Sequence, residues 1–180
     1  MAKNIAFRSF ERVPGKAGSR LSILCDHASN ALPPEYGDLG LPAEQFERHI
    51  AYDIGARAVV LGLAACLGAT AILSCYSRLL IDPNRGMDDP TLIMRLSDGA
   101  VVPGNSRIDE AERQRRIARF HRPYHAAIAA EIEAMLSAGV TPLIVSIHSF
   151  TPIWKFTPRP WHVGILWDRD AATAQAMMQG

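Results

Sequence analysis

Three short, mostly apolar runs set the terms on which this chain folds: Leu21 to Cys25, Thr70 to Cys75 and Leu143 to Ile147. Each reads as a strand, and the last, held between Pro142 and His148, as a plain buried one. Segments with apolar residues at helical spacing lie between them. Phe46, Ile50, Ile54 and Leu61 predict a helix over Ala43–Leu67, with Pro42 suited to its start and Gly68 to its end. Ile117, Phe120, Tyr124, Ile128, Ile132 and Met135 predict a second over Asp109–Leu136. Asp109 would cap it, Pro123 kink or divide it, and Gly139 close it. Further strands are expected over Ser77–Ile81 and Trp161–Trp167, and a last helix from its N-cap Asp168 to Met178. Strands alternating with helices argue for an α/β fold: a three-layer α/β/α sandwich with a mostly parallel central sheet.

The 180 residues suffice for a single domain, 1–180, with a sizeable core. A net charge of +1 gives no bulk attraction to nucleic acid or to an anionic membrane. No apolar run reaches the roughly 18–20 residues that span a bilayer, and the N-terminus lacks a signal-peptide core, so the expected location is cytoplasmic. Cys25, Cys66 and Cys75 form no CxxC pattern and read as reduced thiols rather than structural zinc ligands. Asp82 to Ile108 is a long loop rich in Pro, Gly, Asp and Asn, of the kind that is functional or mobile.

Two strands end alike. Leu21–Cys25 empties into Asp26-His27, and Leu143–Ile147 into His148-Ser149. Parallel sheets bind ligands at the carboxyl ends of their strands, so both imidazoles can enter one crevice. One histidine at a strand end is usually a loop residue; two at equivalent ends bring a metal site level with that reading. Two His and a carboxylate form a common catalytic zinc set, the carboxylate here being Asp26, Asp53 or Asp82. Asp26 adjoins His27 and so faces the other way, which suits it to orient an imidazole or an arginine. Asp53 borders a buried helix face and needs a partner there. The cluster Arg78-x-x-x-Asp82-x-Asn84-Arg85 likewise runs from an apolar stretch into a polar loop. Arginine matches a carboxylate bidentately, although Pro83-Asn84-Arg85-Gly86 is also ordinary turn chemistry. His121 and His125 stand four apart on a helix, but without the Glu of HExxH and with Pro123 between them they read as structural.

Asp26-His27-Ala28-Ser29-Asn30, Tyr52-Asp53-x-Gly55-Ala56, Arg78-x-x-x-Asp82-x-Asn84-Arg85, Pro123-Tyr124-His125 and Ser146-x-His148-Ser149-Phe150 together resemble the N-formylglutamate amidohydrolase family over roughly residues 20–170. That family is similar in fold to the zinc carboxypeptidases, so the resemblance implies a zinc-exopeptidase-like sandwich. It further implies hydrolysis of the amide of a small N-acyl amino acid such as N-formylglutamate. By position, His27, His148 and Asp53 would bind zinc, and Asn84 and Arg85 would grip the substrate carboxylate. Arg78 would polarise the scissile carbonyl or bind a second carboxylate, with Asp26 supporting the chemistry. His125 and Ser149 fall among the expected substrate contacts.

Asn30 stands where related zinc carboxypeptidases carry a ligating Glu, which shifts the third ligand to Asp53. The family's general-base Glu comes from a strand beyond Gly180. The chain is therefore a fragment lacking the C-terminal part of the fold, or another residue serves as base, or the protein binds N-acyl amino acids without turnover. A thiol mechanism through Cys25 is the weakest alternative, because an apolar run disfavours a thiolate.

Overall fold

The computed structural model of the chain describes residues 7–154 and 156–179. It comprises a larger unit ending at Ser149 and a smaller one beginning at Phe150. In the larger unit a short strand, β1 (Phe10–Val13), precedes β2 (Leu21–Cys25). Helix α1 (Ala56–Leu67) leads into β3 (Thr70–Ser74). A small hairpin of β4 (Leu96–Ser97) and β5 (Ala100–Val101) follows, then α2 (Glu110–Arg116), α3 (Arg122–Ser137) and β6 (Leu143–Ser146). The smaller unit holds a hairpin of β7 (Ile153–Trp154) and β8 (Thr157–Pro158) and the helix α4 (Ala171–Gln179).

The main sheet has the order β1-β3-β2-β6. β2 pairs in parallel with both β3 and β6, and β1 runs antiparallel on the far edge. Strand alternation sorts the side chains onto two faces. Ile23, Cys25, Ala71 and Leu73 pack on Ala56, Val60 and Ala64 of α1. Leu24 and Ile72 pack on Tyr124 of α3, with Ala127 and Ile128 beside it. A helix covers each face, giving the expected α/β/α layering. A third apolar cluster lies outside the sheet: Leu39, Ile50, Tyr76, Leu80, Leu92 and Phe120 are among the buried residues that consolidate the long connections. No helix among the described residues is long and apolar enough to cross a membrane.

Several elements depart from expectation for identifiable reasons. The helix predicted over Ala43–Leu67 survives only as α1. Ala43–Glu47 is a 3-10 turn, and Gly55, at φ +84°, takes the left-handed conformation that glycine permits and starts the helix afresh. The apolar stripe loses register there: Ile50 is buried while Ile54 is 53% exposed. Ser77–Ile81 is a buried turn, not a strand. Ser77 Oγ accepts the Leu79 amide and the Ser77 carbonyl accepts that of Leu80, so local bonds displace a ladder.

Asp109 caps α2 through the Glu112 amide, as expected. The predicted long helix divides at a π-helical turn over Ile117–His121, and Pro123 sits in the first turn of α3, where its missing N–H is tolerated. Within the long loop, Asp98 and Gly99, both at positive φ, form the tight turn between β4 and β5. β6 is half-exposed rather than buried, because it is the edge strand among the described residues. Trp161–Trp167 forms no ladder there and is largely exposed, so it is not a strand. Asp170 rather than Asp168 accepts the Thr173 amide at the start of α4.

Candidate metal centre

Because β2 and β6 run parallel with Leu24 opposite Ser146, Asp26-His27 and His148-Ser149 leave the sheet side by side. The His27 and His148 ring centroids are 5.2 Å apart. Asp53 joins them from the turn before α1, where its backbone amide donates to the His27 carbonyl at 2.9 Å. Its Oδ2 lies 2.9 Å from His148 Nδ1 and 3.4 Å from His27 Nδ1. One potential metal-binding atom from each of His27, Asp53 and His148 lies within 4.8 Å of the other two.

Further carboxylates orient the rings. His27 Nε2 donates to Asp82 Oδ1 at 2.7 Å. In the neutral ring that bond places the hydrogen on Nε2 and leaves Nδ1 as the electron-pair donor, 3.3 Å from Arg78 Nη1. Arg78 Nη2 donates to Asp82 Oδ2 at 2.7 Å. On the other ring, His148 Nε2 is 3.1 Å from Asp26 Oδ2. Asp26 is itself fixed by the Tyr124 hydroxyl at 2.7 Å and the Ser146 hydroxyl at 2.8 Å. Each imidazole thus has Nδ1 toward Asp53 and Nε2 on its own carboxylate. This is the support that metal-ligating histidines generally have.

The electrostatics follow from that crowding. Burial opposes ionisation of Asp26, yet hydrogen bonds from His148, Tyr124 and Ser146 bring its pKa down to about 2. Asp53, against burial, is held well below the usual carboxylate range by His148 and His27. Hydrogen bonds to Asp26 and Asp53 push His148 up to about 9. Burial opposes the charged form of His27, but its bonds to Asp53 and Asp82 outweigh burial and raise its pKa. Asp26, Asp53 and Asp82 are all buried, and among the described lysines and arginines only Arg78 lies within hydrogen-bond reach of Asp82. The cluster is therefore about two positive charges short when the imidazoles are neutral. Two protons on the imidazoles, or one divalent cation, would balance it. Two Nδ1 atoms and a carboxylate oxygen are a donor set that suits zinc.

The other residues singled out from sequence lie around this centre. The Ser149 amide donates to Asp53 Oδ2 at 3.2 Å. The Asn84 amide donates to Asp82 Oδ1 at 2.9 Å, and its side chain is exposed. The half-exposed Arg85 guanidinium comes within 3.9 Å of Asp82 and 4.0 Å of Asp89. His125 Nε2 donates to the Pro83 carbonyl at 2.9 Å. Asn30 instead gives its amide to the Phe46 carbonyl at 2.9 Å. Cys25 is wholly buried, and burial, then Asp53 and Asp26, push its thiol up to about 12. Tyr124 and Ser146 escaped sequence reasoning as partners of Asp26, since both belong to otherwise apolar patterns.

A three-layer α/β/α protein with a candidate metal centre at the carboxyl ends of its parallel strands is the class that fold and site define. Residues 19–180 match the sequence profile of N-formylglutamate amidohydrolase, and the chain belongs to that family. Among solved structures it is similar to a gene product of Agrobacterium tumefaciens, at 35% identity and a TM-score of 0.91 over 96% of this chain and 68% of that one. It is also similar to the N-formylglutamate amidohydrolase of Ralstonia eutropha JMP134, at 26% identity and a TM-score of 0.57 over 79% of this chain and 57% of that one. A search of curated proteins finds no match.

Proposed function

We propose that the chain is a cytoplasmic, zinc-dependent amidohydrolase that cleaves the amide of N-formylglutamate or a closely related N-acyl amino acid. The observation that carries this reading is the convergence of His27, Asp53 and His148 in a chain of the N-formylglutamate amidohydrolase family. His27 Nδ1, His148 Nδ1 and Asp53 would hold the metal, while Asp82 and Asp26 keep the rings turned toward it. Zinc so held supplies Lewis acidity to the scissile carbonyl and lowers the pKa of water toward about 7. Arg78 Nε is a buried donor with no hydrogen-bond partner among the described residues, which suits it to the carbonyl oxygen or a substrate carboxylate. Asn84 and Arg85 offer the remaining grip on a carboxylate and so fix the position of the scissile bond. Metal analysis combined with N-formylglutamate turnover tests the reading. Undiminished turnover in a chelated, metal-free sample would overturn it.

A second reading is a protein that binds N-acyl amino acids without hydrolysing them. One observation favours it. Asp26, Asp53 and Asp82 are each already hydrogen-bonded to imidazole, hydroxyl or guanidinium, so none is free to take a proton from water. Calorimetry with N-formylglutamate separates the two readings, because binding with no glutamate or formate released selects the second.

A further inference from the structure

Two histidines near the start of α3 hold the loop that follows Asp82. His121 Nε2 donates to the Arg85 carbonyl at 2.9 Å, and His125 Nε2 to the Pro83 carbonyl at 2.9 Å. A carbonyl only accepts, so both rings carry their hydrogen on Nε2. The rings lie against each other with centroids 4.3 Å apart and planes tilted by 38°. Burial holds the His121 pKa down, with His125 adding to the effect and the Arg85 carbonyl opposing it. Both Nε2 atoms are spent on carbonyls, and among the described residues no third His, Cys, Asp or Glu completes a metal-binding set with this i, i+4 pair.

Between those carbonyls the Asn84 amide is tied to Asp82 Oδ1. Three successive residues, Pro83, Asn84 and Arg85, are therefore fastened by their backbone: twice to α3 and once to the carboxylate that orients His27. The π-helical turn over Ile117–His121 precedes this arrangement. A π turn inserts a residue and re-aims the helix that follows, and such turns are frequent at functional sites. Here the first turns of α3 send His121 and His125 to the loop and Tyr124 to Asp26, which holds His148. One helix face thus supports both sides of the candidate centre.

We propose that His121 and His125 are positioning residues that clamp the Pro83–Arg85 loop and so set Asn84 and Arg85 at the reach a substrate carboxylate requires. The ligand's identity rests on the amidohydrolase reading; the clamp itself does not.

The test compares His121→Phe and His125→Phe, which keep a ring but lose Nε2–H, with the Gln variants, which keep an amide donor at similar reach. Readouts are kcat and KM for N-formylglutamate, calorimetric affinity for glutarate as a dicarboxylate that is not hydrolysed, and zinc content. The Phe variants should raise KM and weaken glutarate by about 10–100-fold, the scale of losing a hydrogen bond to a charged group. kcat should fall less than KM rises, zinc content should stay at the wild-type level, and Gln should restore most of the affinity. Unchanged KM and glutarate affinity in the Phe variants, or zinc lost together with affinity, would overturn the proposal. His125 is exposed, so its variants should keep the fold and decide the question even if His121→Phe does not fold. If wild-type protein neither turns over N-formylglutamate nor binds glutarate, the amidohydrolase reading fails by itself. Amide exchange across Asn84–Gly86 then decides the clamp: faster exchange in His125→Phe supports it, and unchanged exchange rejects it.

Discussion

Two buried polar networks lie in the larger unit, and they close differently. Around Arg116, which is 2% exposed, every bond ends on the protein. Nε donates to Glu112 at 2.7 Å, and Nη1 to the Leu80 carbonyl at 2.9 Å and to Asn105 Oδ1 at 2.6 Å. The Tyr36 ring lies 5.0 Å from Cζ. Every nitrogen of that guanidinium has a protein partner, Nη2 reaching the Gly104 carbonyl at 3.4 Å, and its carboxylate, Glu112, is shared with Arg115. A cleft of about 630 Å³ opens beside Arg116, where Arg115 also meets Glu112 and Arg119 meets Glu35. At the strand ends, three buried carboxylates face one close arginine, and each imidazole stands between two carboxylates. The first network is complete as folded; the second balances only with both imidazoles protonated or with a divalent cation in place of those protons. Concavity and the gathering of metal-binding donor atoms point to different places here, and the donor set is the better guide to chemistry.

That contrast breaks first at His148. His148→Ala should abolish stoichiometric zinc binding and lower kcat/KM by about 1000-fold or more, since several kcal/mol of Lewis-acid stabilisation depend on the ligand set. Metal analysis and turnover check this, and a variant that keeps its zinc would show that the three side chains are only a structural network. Arg116→Ala should do the reverse. It leaves Glu112 with Arg115 but deprives the Leu80 carbonyl and Asn105 Oδ1 of a donor, at about 1–3 kcal/mol for each buried acceptor left unsatisfied. At roughly 2–4 °C per kcal/mol for a chain of this size, melting should fall by about 10 °C. Zinc bound per folded molecule should not change. If zinc affinity falls in step with melting, the two networks are one.

The difference between the networks was unevenly legible in the sequence. His27 and His148 could be found because two apolar runs both end in histidine, and a parallel sheet brings such ends together. Asp53 was identified, but on a helix that is not there. Its position is set by a turn that the left-handed Gly55 allows, and the expected apolar stripe concealed that break. Asp82 was weighed as a ligand or as a partner for arginine, and its bond to His27 Nε2 could not be read from a spacing of 55 residues. The Tyr124 and Ser146 contacts depend on a π turn and on strand register, which apolar periodicity does not encode. Arg116 gave no signal at all, because a buried arginine in a charged helix looks like a solvated one until the Leu80 carbonyl and Asn105 are placed against it.

Asp82→Asn sharpens the comparison at smaller scale. Asn can still meet one neighbour but not both His27 and Arg78 as a carboxylate does, so zinc affinity should fall by about 10–100-fold, the usual loss for a residue orienting a ligand. Competition with a chromophoric chelator measures it, and unchanged affinity would mean that Asp82 does not set the ring's tautomer.

The pH dependence of the metal-free chain carries the same logic. His27 and His148 have raised pKa values. Their contribution to stability is complete below the ordinary histidine value of 6.5 and is lost as pH rises through the folded value, about 9 for His148. Asp26 acts in the opposite sense: its contribution is present above 3.8 and is lost as pH falls through about 2. Melting of the chelated protein should therefore decline between about pH 6.5 and 9. With saturating zinc the decline should shrink or reverse, because the ligands must then be free of those protons. Parallel curves with and without zinc would rule out the cluster as the metal site.

The smallest expected effect concerns Cys25, the last residue of β2, beside Asp26. It is fully buried, with a thiol pushed up to about 12 by burial and then by Asp53 and Asp26. The negative charge that makes the strand ends suited to a cation is what disfavours a thiolate there. Cys66, by contrast, is exposed on α1. At pH 8, iodoacetamide should label Cys66 in native protein and leave Cys25 untouched, and Cys25→Ala should change kcat/KM by no more than a few-fold. Mass spectrometry of the labelled peptides reads the order directly. Labelling of Cys25 ahead of Cys66 would mean that the strand ends open to reagent and stabilise an anion. The carboxylate-rich network would then have to be relaxed in solution, and the charge argument for a divalent cation would lose its foundation.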